Sequence, residues 1–378
     1  MLRLAAPLVL AEIGWVMMGI VDAMMVGRVS QAAMGAVAIG SGLFYAIAMF
    51  GGGLLMGLDT LVSQAFGARR VDECHRSMMS GLHLCVPLTP LLMGAVWLAA
   101  PLLRRIGVQS DVLADARPYI HAVAWSTLPL LLYFVFRRYL QAMHVVRPVT
   151  FALVSANLVN LAGNWILVFG HFGAPAMGAE GSGWATCISR IYLAAVLAWS
   201  VWDYDRRDQT GLLDTSLQPD FPRIRRLLAL GLPAALQFAL EFGAFATATV
   251  LIGKLSTVTL AAHQIALNTA SFTYMVPLGI SAAAAVRVGN ALGRGDVPEA
   301  GHAGWSAMVL GAGFMGCAGL FLLLAPGVIA RTFTNDRAVI AASASLLFAA
   351  AVFQLFDGLQ TVATGALRGA GETRLPMV

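Results

Sequence analysis

Ten runs of about twenty or more apolar residues recur along the 378-residue chain, and they leave few folds open to it. We place them at 4–27, 34–57, 78–103, 118–142, 149–170, 181–202, 227–253, 259–285, 304–330 and 341–366. A helix rises about 1.5 Å per residue, so each run is long enough to cross a hydrocarbon core about 30 Å thick. Lipid offers the backbone no hydrogen-bond partners, so only helices and closed barrels span it. The runs are continuous rather than alternating, which argues for helices. Composition agrees: 59% of residues are hydrophobic and 11% charged, with a mean hydropathy of +0.78. The opening MLRLAAPLVLAEIGW has features of a signal peptide. Its apolar stretch continues to Val26 and carries acids, so a first membrane helix is expected instead. The fold class that follows is an all-α polytopic membrane protein.

The chain also repeats itself. Residues 4–76 lie over 230–302 without a gap, at an offset of 226. Identical positions include Leu4/Leu230, Pro7/Pro233, Gly27/Gly253, Ser30/Ser256, Gly53/Gly279, Gly67/Gly293 and Glu73/Glu299, and charge is kept at Arg28/Lys254. Most matches are turn, kink or small residues, which fix backbone shape. Two pseudo-symmetric helix bundles are expected, an arrangement in which substrate sits between the halves. We divide the chain into an N-lobe of six spans (1–202), a linker (203–226) and a C-lobe of four spans (227–378). The segment RYLQAMHVVRP before span five has its counterpart in GALRGAGETRLP at 365–376, close to the end of the chain. By symmetry a final pair of helices, about 50 residues, would follow, so the chain reads as C-terminally truncated.

Most arginines fall in loops after even-numbered spans, at the N-terminus and in the C-terminal tail. The positive-inside rule then places both termini and the linker in the cytoplasm. A net charge of +5 reflects this topology and makes no case for nucleic acid. Cys74, Cys85, Cys187 and Cys317 have no paired spacing, so neither disulfides nor a zinc site is indicated. GAGFMG at 311–316 satisfies GxGxxG but lies within an apolar helix, where close helix packing explains it. With no nucleophile motif, metal spacing or phosphate loop, the chain is not expected to be an enzyme or to use a cofactor.

Five acids fall inside apolar runs or at their edge: Glu12, Asp22, Asp59, Glu241 and Asp357. An ionised acid at the bilayer centre costs on the order of 3 kcal/mol, so each needs a reason. Glu241 and Asp357 lie near mid-span with no basic residue in their own span, which points to binding of a cation or proton. Asp22 lies short of Arg28, with which it can pair; alternatively it serves a cation site, or its protonation bends the helix that also carries Pro7. Glu12 and Asp59 lie nearer the cytoplasmic ends, within expected reach of water, and read as structural. Asn157, Asn160 and Asn164 share one helical face, as helix glue or as oxygen donors beside Asp22, and Thr186 adds a hydroxyl. His83 and His263 read as packing residues.

Several segments, in order along nearly the whole chain, carry a family likeness. They are VDAMMVGR (21–28), GLDTLVSQAFGA (57–68), NLAGNWILVFG (160–170), GSGWAT (181–186), GLPAALQFALEFGAF (231–245), LAAHQIALN (260–268), VPLGISAAAAVRVGNALG (276–293) and FDGLQTVATGALRGAGET (356–373). The chain resembles the multidrug and toxic compound extrusion (MATE) family, in its NorM-like branch. The resemblance implies a twelve-helix antiporter, about ten of whose helices are present here, with two lobes that open alternately. It implies export of organic cations and drugs against inward Na⁺ or H⁺, by a monomer in the bacterial inner membrane among its lipids. It further implies cation-binding roles for Glu241 and Asp357 in the C-lobe and for Asp22, Asn160, Asn164 and Thr186 in the N-lobe, with any metal being Na⁺ at those residues. Two alternatives remain: a flippase for a lipid-linked precursor, for which Arg190 and the Arg137/Arg138 pair are the candidate anion ligands, and a non-transporting membrane fragment.

Overall fold

The structure is a computed structural model describing residues 1–105, 109–253 and 256–377. Lys254, one of the repeated basic positions, lies outside them. Among the described residues there are fourteen α-helices. The first half contains α1 (Leu2–Val26), α2 (Gln31–Leu54), α3 (Gly57–Gly67), α4 (Val71–Ala99), α5 (Leu102–Arg105), α6 (Ser110–Ala124), α7 (Thr127–Ala142), α8 (Arg147–Phe169) and α9 (Gly178–Asp208). The second half contains α10 (Phe221–Gly253), α11 (Thr257–Gly293), α12 (Val297–Leu324), α13 (Pro326–Phe333) and α14 (Arg337–Ala370). Nine helices or near-continuous helix pairs among the described residues are long and apolar enough to cross a membrane, and α6 with α7, bent by 46°, makes a tenth. Each expected run therefore has a counterpart, but the helices outlast the apolar runs: α2 and α3 together reach Gly67 and α11 reaches Gly293. Their extra turns carry polar residues, which the hydropathy criterion ignores. The linker is shorter than expected for the same reason, with helix continuing to Asp208 and resuming at Phe221.

The repeat governs local geometry. Ser30 and Ser256 take extended backbone conformations, and their hydroxyls accept from the amides of Ala33 and Thr259, capping α2 and α11 alike. The fold's surface is apolar where a soluble protein's would be polar: Leu98, Phe151, Leu158, Trp305 and Val309 are all exposed. Lipid is the solvent such a surface suits. Gly311, in the GxGxxG stretch, lets α12 come against Val362 of α14, a helix-packing role.

Helix α1 packs on α8 within its own half and on α11 across the molecule, while α2 packs on α6 and across on α10. These two crossings are repeat equivalents. Gly279 of α11 sits against the backbone of Val9, and Gly53 of α2 sits against the backbone of Ala235. Both crossings lie in the half of the bundle nearest the linker. At that end the linker itself is tied down: His75 Nε2 lies 3.1 Å from the Thr210 carbonyl oxygen, and the Asp205 carboxylate accepts from the Thr210 hydroxyl at 2.6 Å and the Leu212 amide at 2.9 Å. Arg223, just beyond the linker, donates to the Ser77 hydroxyl.

Candidate functional site

Asp22 projects from α1 into the first half of the molecule and is 5% exposed. Its Oδ1 accepts from Asn160 Nδ2 at 3.0 Å and Asn164 Nδ2 at 2.7 Å; its Oδ2 accepts from Thr186 Oγ1 at 2.8 Å. Residues 160 and 164 are one turn apart on α8 and so present both amides to the same point, and Thr186 reaches it from α9. Arg28 is not among the partners, so the local pair considered from sequence does not form. Asn164 Oδ1 is buried with no hydrogen-bond partner. The cluster thus gathers a carboxylate, two amides and a hydroxyl at one buried point, with the amide nitrogens turned to the carboxylate and Asn164 Oδ1 left over as an oxygen able to serve a hard cation. Asn157, on the same face, donates instead to the Gly14 carbonyl at 2.9 Å and ties α8 to α1.

One turn beyond Thr186, Arg190 is 1% exposed and within Coulombic range of Asp22. It donates to Tyr45 Oη and Ser126 Oγ. Its guanidinium lies over the rings of Phe44, Tyr45 and Trp15, at 4.8, 5.4 and 5.8 Å from their centroids. The hypothetical anion ligand of a flippase is therefore enclosed by aromatic rings.

The acids of the second half form a separate cluster. Gln237, one turn before Glu241 on α10, donates to its Oε1 at 2.9 Å. Asp357 of α14 is half-buried and within Coulombic range of Glu241. Among the described residues it has no hydrogen-bonded or ion-paired partner. Thr361, a turn beyond Asp357, donates to Tyr274 Oη at 3.1 Å, and Thr273 donates to Gln354 Oε1 at 3.0 Å. Gln237, Thr273, Gln354 and Thr361 were not singled out from sequence; a polar residue one turn from a mid-span acid was the available signal. No hydrogen bond joins this cluster to Asp22 among the described residues. Nor does any group of three or more His, Cys, Asp and Glu side chains there have metal-site geometry.

Glu12 and Asp59 correct the expectation that they reach water. Both are buried and neutralised by arginine: Glu12 pairs with Arg137, and Asp59 Oδ2 lies 2.6 Å from Arg138 Nη1 and 3.1 Å from Arg368 Nε. Their role is structural, as expected, but through buried ion pairs rather than hydration. Of the histidines, His263 Nε2 lies 3.1 Å from Thr249 Oγ1, and His83 Nδ1 has no partner.

Comparison with known proteins adds an independent line. The MatE family model matches residues 7–166 and again 233–378, two matches that start 226 residues apart, in register with the internal repeat. The chain is 33% identical over 386 residues to "Probable multidrug resistance protein NorM" of Brucella suis, covering 100% of this chain and 82% of that protein. The protein of the same description from Mesorhizobium japonicum is 35% identical over 389 residues, with the same coverage. Among solved structures, a eukaryotic MATE transporter matches with TM-score 0.86 at 23% identity, over 98% of this chain and 82% of that one. An outward-facing multidrug resistance MATE family transporter matches with TM-score 0.85 at 20% identity, over 100% and 83%. Two in-register matches to one family model, with full-length NorM-like relatives, leave one assignment: the chain is a multi-pass membrane protein of the MATE family, NorM-like, a transporter and not an enzyme.

Proposed function

We propose that this chain exports drugs and organic cations by antiport with Na⁺ or H⁺, the two lobes opening in turn to either side of a bacterial inner membrane. The observation that carries the reading is the Asp22 cluster. A buried carboxylate held by two amides and a hydroxyl, with no guanidinium bonded to it among the described residues, is free to take up and release a cation. Glu241 and Asp357 supply a second acidic locus in the other half. In the cycle we infer, a cationic drug rests between the lobes on apolar and aromatic surface, held by these carboxylates. An incoming Na⁺ or H⁺ occupies or neutralises them and the drug's electrostatic hold weakens. The drug leaves outward, and the ion leaves inward as the lobes rock back. The positive-inside distribution of arginine supports cytoplasmic termini, and the chain acts as a monomer in this reading.

The flippase alternative draws less support, because Arg137 and Arg138 are committed to Glu12 and Asp59 and Arg190 is enclosed. The test is ethidium efflux from drug-sensitive cells expressing the chain. Efflux that stops when the sodium or proton gradient is collapsed is expected and identifies the ion. Efflux indifferent to both gradients, or no efflux from a chain shown to reach the membrane, overturns the proposal.

A further inference from the structure

The repeat places two amide side chains at equivalent positions, Gln64 at the end of α3 and Asn290 near the end of α11. Each reaches into the opposite half. Gln64 Nε2 donates to the Gly369 carbonyl oxygen at 3.1 Å. Asn290 Nδ2 lies 3.4 Å from the Ala142 carbonyl oxygen and 2.7 Å from His144 Nε2. Ala142 and Gly369 are themselves equivalent in the RYLQAMH and GALRGAG segments, so the two contacts are one contact made twice. Both acceptors lie in the last turn of a helix, α7 or α14, where carbonyls have no donor from their own helix. In both, the chain then turns through a left-handed residue, His144 at φ 64° and Gly371 at φ 90°. The amides supply from the other lobe what each helix end lacks.

The glycines at the same place follow the same reciprocity. Gly67 faces the backbone of Asn290, and its equivalent Gly293 faces the backbone of Gln64, each so closely that a Cβ would collide. Between them Ser63 meets Gly289, which is its own repeat equivalent, so the pseudo-two-fold axis passes through this point. Asp59 adds an ionic crossing, joining Arg138 of its own half to Arg368 of the other.

We propose that Gln64 and Asn290 form a reciprocal latch that holds the lobes together at the linker end, each amide closing the C-terminal carbonyls of a helix in the opposite lobe. Opening there exchanges the two amide–carbonyl contacts for contacts with water, so the latch is modest in strength and suited to a reversible gate. The inference rests on the alternating opening proposed above but not on the identity of drug or ion.

The test is the distance distribution between spin labels on the full chain, at Arg76→Cys in one lobe and Gly301→Cys in the other. Both positions are exposed. Cys317, the exposed native thiol, is replaced by serine, and the remaining three are buried. Gln64→Met and Asn290→Leu remove the donors while keeping most of the volume. Each is expected to raise the longer-distance population about fivefold, the equivalent of one hydrogen bond, and the double variant to raise it further. Distributions matching the parent in both single variants overturn the latch. If one variant fails to reach the membrane, the other decides, since each amide closes a helix end of the opposite lobe. Longer distances from a chain that moves no drug would leave the latch standing and count against the antiport reading.

Discussion

Asp22 is the residue on which the account turns. It was legible in the sequence because an acid and a row of amides stand out inside apolar runs, and the structure brings Asp22, Asn160, Asn164 and Thr186 into one hydrogen-bonded group. Asp22→Asn keeps the shape and removes the charge. We expect ion-coupled efflux to fall about tenfold or more, at least 1.4 kcal/mol, with thermal stability in detergent little changed; both are read on the purified and the expressed variant. Glu12 shows where single-sequence reading ends. Its partner Arg137 lies 125 positions away, and nothing local announces the pairing. Removing one member of a buried pair costs about 3–5 kcal/mol by stranding the other charge. Arg137→Met should therefore lose thermal stability strongly, and adding Glu12→Leu should recover much of it; equal stability of single and double variants would contradict the pairing.

At the scale of elements, apolar runs announced where helices cross and the repeat announced how they start. Ser30 and Ser256, matched at an offset of 226, cap their helices with the same geometry. Ser30→Ala and Ser256→Ala should each cost about 1 kcal/mol, measured by thermal unfolding in detergent, and by similar amounts. Hydropathy did not announce where helices stop, because α3 and the last turns of α11 are polar, nor the 46° bend between α6 and α7. Those depend on partners: the ends of α3 and α11 are polar because they meet each other and the ends of α7 and α14. The residues around Glu241 and Asp357 escaped notice for a related reason. Gln237 and Thr361 are ordinary in a helix and lie one turn from an acid on their own helices; only packing brings Thr361 to Tyr274 and Gln354 to Thr273 across α11 and α14.

For the whole molecule, the repeat supplies both arms of the proposed latch, and its departures make the two halves unequal. His144 stands where the other arm has Gly371, so at this one position only the first arm carries a titratable side chain. His144 faces Phe66 and Asn290, with Arg287 and Arg294 near, both paired to Glu299. Burial first, then these arginines, hold its pKa below the ordinary histidine value, so the imidazole stays neutral and accepts from Asn290. A lowered histidine pKa weakens the closed state as pH falls below about 6.5. Acidification to about pH 5.5 should lengthen the linker-end distance in the parent and much less in His144→Gln; an equal response from both would remove His144 from the gate. The two acidic clusters are the larger departure, since Asp22 corresponds to Ala248 and Glu241 to Trp15 in the repeat. The lobes thus share a frame while carrying different charges, and the exchange proposed above draws on that difference. The direct test of that exchange is ethidium flux in proteoliposomes under an imposed sodium or proton gradient, with the chain beside its Asp22→Asn variant. Counterflow of drug against one gradient, lost in the variant, is the predicted result; flux that ignores both gradients, or survives Asp22→Asn undiminished, would contradict the account.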